Sequence, residues 1–243
     1  MTVAEIQELY DLGKFPEAIA AVGVEVSGKR ASNDPEIGKL CVICAWCYWR
    51  RQEWDGALVW LGGAEKAGGA ELETKRLRAY FAAYRDKNDG VLRSIAQELP
   101  GDVGVLNALV IRARDEDSAF SHVEVENIVF AFEAGDVTVA NLYHNGARFF
   151  MAKPRDNEDL FMAVGMLDHA LRLYGTDGNW HHRAAATHWQ SVAHERLGET
   201  EDDRNARSRA RQLWEKASEL DPANQGFQQN LENARKREAE FAS

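Results

Sequence analysis

The feature that most constrains this chain is a pairing of small and large residues at helical spacing, present at three places. The clearest instance spans residues 41–61, where Cys41, Cys44-Ala45 and Tyr48 mark one helix and Ala57 and Leu61 mark the next. Near the other end, Ala210, Trp214 and Pro222 repeat the second half of the pattern in the run ARQLWEKASELDP. The opening segment LYDLGKFPEAIAAV supplies a third copy through Ala18 and Val22. A unit of this kind cannot bury its apolar side alone and must stack on its neighbours.

Between these copies, apolar residues recur every three or four positions, which is the helical period, and strand signals are scarce. About a dozen helices are expected, separated by short breakers such as Leu12-Gly13-Lys14, Gly68-Gly69, Pro100-Gly101-Asp102 and Gly175-Thr176-Asp177-Gly178. Ser32-Asn33-Asp34-Pro35 reads as a helix start, with a polar cap before Pro in the first turn, where its missing N–H costs nothing. The middle of the chain is expected to hold helices at 72–85, 91–99, 103–114, 118–133, 139–152 and 160–174. The last helix, 225–241, carries a narrow apolar stripe of Phe227, Leu231 and Ala234, the mark of a terminal cap with a polar outer face.

The spacing of Cys41, Cys44-Ala45, Tyr48, Ala57 and Leu61, with the Ala210, Trp214, Pro222 echo, resembles the tetratricopeptide (TPR) repeat. The register is clear at 4–66 and 180–222 and irregular at 70–180. The fold this implies is all-α: one domain over residues 1–243, a right-handed solenoid of about six antiparallel helical hairpins closed by a C-terminal capping helix. The resemblance also implies a function, namely a protein-interaction module that takes a peptide or partner helix in a concave groove. In TPR proteins the first helix of each pair lines that groove. On that implication Lys39, Trp46, Trp49 and Arg50 are candidate partner contacts, and Tyr143 and Phe150 extend the groove from a later helix. Trp and Arg are also the residues that dominate interface energetics.

The composition excludes more than it identifies. A net charge of -10 disfavours nucleic acid and anionic membrane surfaces, because both need concentrated Lys and Arg. The longest apolar run, LCVICAWCYW, stops after ten residues at Arg50-Arg51, short of the ~18 that a membrane span needs. The N-terminal residues show no secretory signal, and three cysteines within seven residues do not form a secreted disulfide framework, so a cytoplasmic location is expected.

Two groups invite a chemical reading. Cys41, Cys44 and Cys47 have the two-residue gaps typical of zinc or iron–sulfur ligands, but a ferredoxin-like run needs a fourth cysteine and the chain has only these three. Cys41 and Cys44 also occupy core slots of the repeat, so buried thiols are expected. His181, His182, His188 and His194 form the second group, with His181, His188 and Glu195 on one helical stripe. The i, i+4 histidine pair of zinc proteases is absent. Asp115-Glu116-Asp117 and Glu201-Asp202-Asp203 read as solvated helix ends. No nucleophile elbow, phosphate loop or dinucleotide fingerprint occurs, so no enzyme, cofactor or metal site is expected. A metal-binding or catalytic protein built on the cysteine or histidine group, or a structural subunit of an oligomer, are the alternatives.

Overall fold

A computed structural model of the chain describes residues 1–28, 35–118, 120–176 and 178–240. Among the described residues there are thirteen helices and no strand, as the helical period requires. In chain order they are α1 (Val3–Asp11), α2 (Phe15–Gly28), α3 (Pro35–Arg50), α4 (Trp54–Ala67), α5 (Glu71–Tyr84), α6 (Asp89–Glu98) and α7 (Val103–Ala113). These are followed by α8 (His122–Val129), α9 (Val137–Ala152), α10 (Asn157–Tyr174), α11 (Trp180–Leu197), α12 (Thr200–Leu220) and α13 (Gln225–Ala239). No helix among the described residues is long and apolar enough to cross a membrane.

Local capping chemistry decides where many of these helices begin. Thr2 and Ser121 each form a capping box with the glutamate three residues on, Glu5 and Glu124. Asn88, Asp102, Asp136 and Asp156 each accept a hydrogen bond from a first-turn N–H of α6, α7, α9 and α10. These caps correct the expected boundaries. The helix expected over 118–133 is only α8, because the Ser121 box starts it late and it ends at Val129. The next helix starts at Val137, directly after its Asp136 cap. The Ser32–Asp34 cap, Asp177 and the end of the last expected helix at Phe241 lie outside the described residues.

The residues group into two compact units: Met1–Arg78 with Lys216–Asn230, and Ala79–Glu215 with Leu231–Ser243. The boundaries fall inside α5, α12 and α13. The first unit centres on the α3–α4 hairpin. Ala18, Val22, Ala57 and Leu61, the residues that carried the repeat pattern, are all fully or almost fully buried there. Cys41, Cys44 and Cys47 are free, buried thiols, and burial pushes all three up from the usual thiol range. Gly38 of α3 lies against the backbone of Gly68 at the end of α4, so closely that a Cβ would fall 1.8 Å from the Gly68 carbonyl oxygen. This unit brings residues 216–230 onto the first part of the chain: Phe15 of α2 packs on Phe227 of α13 with ring centroids 6.2 Å apart. A linear stack puts only neighbouring repeats in contact, so this pairing departs from the simple solenoid expected.

The second unit has its core between α7, α9, α10 and α11. Leu142, Phe149, Phe150, Ala163 and Leu167 are fully buried there or nearly so. Gly146 of α9 admits Val129 of α8 so closely that an added Cβ would lie 2.7 Å from it. A shift of 34 residues carries six of the nine buried positions of α7 onto buried positions of α9, among them Val105 on Val139, Ala108 on Leu142 and Ala113 on Ala147. That shift equals the TPR repeat length, in a region whose register reads as irregular from the sequence.

The two acidic runs are not simply solvated. Arg112 is buried and paired with Asp89, Asp115 and Asp117, at 2.7, 3.2 and 2.6 Å. Asp203 is buried against Arg207 at 2.9 Å, and Glu195 and Glu240 complete the shell around that guanidinium. Each run therefore includes carboxylates that neutralise a buried arginine.

Candidate functional site

A cavity of about 430 Å³ opens in the second unit, and alternate helices build it. The last residues of α5 give Ala83 and Tyr84, and Lys87 follows in the connection after it. Ile111 lies in the last turn of α7, with Arg114 and Asp115 just beyond the helix. The last turns of α9 give Arg148, Met151 and Ala152, and α11 gives Trp189 and Arg196. No residue of α6, α8 or α10 reaches the lining. Lys87 has φ 48°, a left-handed conformation that L side chains rarely adopt; this turn lies at the cavity.

Four cations line this cavity against one carboxylate, in a chain whose net charge is -10. Three of the four have duties within the fold. Arg114 Nε donates to the Ile111 carbonyl at 3.2 Å, and its Nη1 donates to Asn145 Oδ1 at 3.0 Å. Asn145 in turn donates to Asn107 Oδ1 at 2.9 Å and to the Asn141 carbonyl at 3.0 Å, which fixes its acceptor oxygen toward Arg114. Arg196 donates to the Met151 carbonyl. Lys87 Nζ lies 3.0 Å from Asp115 Oδ2. Cations at helix C-termini satisfy free carbonyls and complement the helix dipole.

Arg148 is the exception. Its guanidinium lies over the Trp189 ring, 4.8 Å from the centroid, and its Nε is buried without a hydrogen-bond partner. No carboxylate pairs with it among the described residues. Burial lowers its pKa, as it does that of Arg114, where the neighbouring Arg148 charge adds to the effect. His144 lies fully in the protein interior, and burial first, then Arg148 and Arg114, holds it neutral. The cavity thus has an excess of positive charge that its own side chains leave uncompensated.

Lys39 is exposed on α3. Trp46, Trp49 and Arg50 come together at the C-terminal end of the same helix. Trp49 is only 8% exposed and sits edge-on between Trp46 and Trp54, with centroids 6.3 and 4.8 Å away. Trp46 is partly buried against Cys41, Val42 and Ala64, and Arg50 Nε donates to the Tyr10 hydroxyl at 3.2 Å. Trp46 and Arg50 thus keep some surface, while Trp49 packs as core. Tyr143 is buried in the second unit and donates to the Phe132 carbonyl at 2.9 Å. Phe150 is fully enclosed in the same core, so its ring has no surface to offer a partner.

The chemically suggestive groups resolve differently. The cysteines do not gather into a set of three ligands among the described residues; the set that does is His194, Glu199 and Asp202, with ligand atoms within 4.8 Å of one another. There His194 Nδ1 already shares a 2.7 Å hydrogen bond with Glu199. Glu195, on the stripe with His181 and His188, is engaged by Arg207 and Arg237 at 3.3 and 2.9 Å.

Sequence reasoning missed Arg114, Arg148, Trp189 and Arg196. One signal was available: Arg114 and Arg148 stand 34 positions apart, one TPR period. No family model matches the chain, and no curated protein matches it.

Proposed function

We propose that this protein is a TPR-like interaction module without catalysis of its own. In this reading the hairpins from α5 to α11 stack as a right-handed solenoid, and the first helices of successive pairs form the face that takes an extended partner segment. One observation carries the reading: the cavity draws its lining from α5, α7, α9 and α11 in order and from none of the helices between them. Helical-repeat proteins bind on the surface that one helix row lines. Trp189 and Met151 offer apolar contact there, and the arginines offer directed charge. Lys39, Trp46 and Arg50 on α3 are a second contact region of the first unit in the same reading, with Trp49 as its buried support.

The test is selection of displayed peptides on the purified chain, followed by hydrogen-exchange mapping of the tightest binder. Protection is expected at residues 84–87, 111–115, 148–152 and 189–196. A selection that enriches nothing, or a binder whose footprint avoids these turns, would remove the interaction reading.

A further inference from the structure

We propose that the cavity beside Arg148 is an anion site that takes a phosphoryl group. Excess cation is the first reason. Arg114, Arg148, Arg196 and Lys87 face a single carboxylate, Asp115, and that carboxylate is already bonded by Lys87 at 3.0 Å and by Arg112 at 3.2 Å. Capping of helix ends accounts for Arg114 and Arg196, which spend donors on the Ile111 and Met151 carbonyls. It does not account for Arg148, which bonds to no carbonyl and no carboxylate among the described residues and leaves a buried Nε unsatisfied.

The second reason is preorganisation. The Arg148 guanidinium carbon lies 4.8 Å from the centre of the Trp189 ring, and Asn145 holds Arg114 by an Nη. A guanidinium placed there offers a fork of N–H donors, the geometry that suits phosphate. A phosphoryl group carries close to two negative charges at neutral pH, with three acceptor oxygens. It therefore matches several cations better than a lone carboxylate does. The ligand's source is either a free phosphorylated small molecule or a phosphorylated side chain of a partner segment. Only the second source rests on the interaction reading.

The experiment is isothermal titration calorimetry of the full chain with inorganic phosphate, glucose 6-phosphate, a phosphoserine peptide, the same peptide unmodified, and succinate. The phosphorylated probes are expected to bind saturably and to weaken as salt is raised. Arg148→Met should weaken them at least tenfold, Arg148→Lys less, and Lys66→Met, on an exposed side chain of α4, should change nothing. If Arg148→Met does not fold, the wild-type chain still decides the matter: phosphate must shift the Trp189 indole N–H resonance, identified by its loss in Trp189→Phe. Tighter binding of the phosphopeptide assigns the site to a modified side chain, and equal binding of glucose 6-phosphate assigns it to a small molecule. Succinate binding as tightly as phosphate overturns the phosphoryl assignment. So does the absence of saturable binding at millimolar probe, indifference to Arg148→Met, or an unmoved Trp189 resonance. Phosphate binding without any peptide footprint leaves the anion site standing and removes the interaction module.

Discussion

His188 precedes Trp189 on α11 and feels the charge of Arg148 as well as that of Arg237 and Arg207. Burial first, then Arg237, Arg148 and Arg207, depress its pKa from an ordinary 6.5 to about 4. Between those two values the unfolded chain binds more protons than the folded one, so stability rises with pH across that window. The contribution is fully present above pH 6.5 and is lost as the pH falls toward about 4. We expect the urea midpoint to drop over that range by an amount equivalent to on the order of 1–2 kcal/mol, less than the full shift because the ring is partly exposed. His144 is depressed in the same direction and adds to the slope. A His188→Gln variant should flatten the profile, and an unchanged slope would show that other groups set it. Residue-scale chemistry of this kind was only partly legible. Cys41, Cys44, Ala57 and Leu61 could be read as buried because they occupy the core slots of the repeat pattern. Phe150 and Tyr143 were misplaced because the period marks a face without telling which neighbour covers it. Arg148 was missed because its partner ring, Trp189, lies on another helix.

At the scale of elements, helix starts were legible where a polar residue stands one position ahead of the first turn, as at Asp102 and α7. They were misread at Ser118, because the Ser121–Glu124 box competes for the same helix and wins with two reciprocal hydrogen bonds. Glycines at helix crossings carry information that periodicity does not. Gly38 is expected to be irreplaceable: the added Cβ of Gly38→Ala would meet the Gly68 carbonyl oxygen at 1.8 Å, and backbone cannot rotate away as a side chain can. A loss of about 1–3 kcal/mol or more is expected, the scale of overpacking. Gly62, inside α4, has nothing within 4 Å of the place where an alanine methyl would stand. Gly62→Ala should instead gain roughly 0.5–1 kcal/mol through helix propensity. Chemical denaturation of the two variants checks both signs. Equal effects would mean that the α3–α4 approach is looser than this geometry.

On the scale of the whole molecule, the repeat signature foretold helices but not that the first unit recruits residues 216–230. Residues 1–78 and 216–230 belong to it together, and local periodicity carries no information about such distant pairing. The Phe227 ring packs on Phe15, and Asp221, fully buried, lies 3.9 Å from Arg51. The last helix contributes to the second unit as well, where Arg207 Nη1 donates to the Arg237 carbonyl at 2.7 Å and Arg211 pairs with Glu238. A chain ended after Glu215 would therefore strip apolar cover from Phe15 and leave the buried Arg207 short of two partners, Glu240 and the Arg237 carbonyl. We expect such a chain to melt well below the full protein and to lose more helical ellipticity than its 28 missing residues account for. Phe227→Ala isolates the apolar part and should cost roughly 3–5 kcal/mol if the ring is core in solution. An end-capping helix that merely shields the last hairpin would behave differently: its removal would shorten the helical signal in proportion and leave the first unit's melting unchanged. Circular dichroism through a thermal scan separates these outcomes, and a proportional loss at an unchanged midpoint would return α13 to the role of a simple cap.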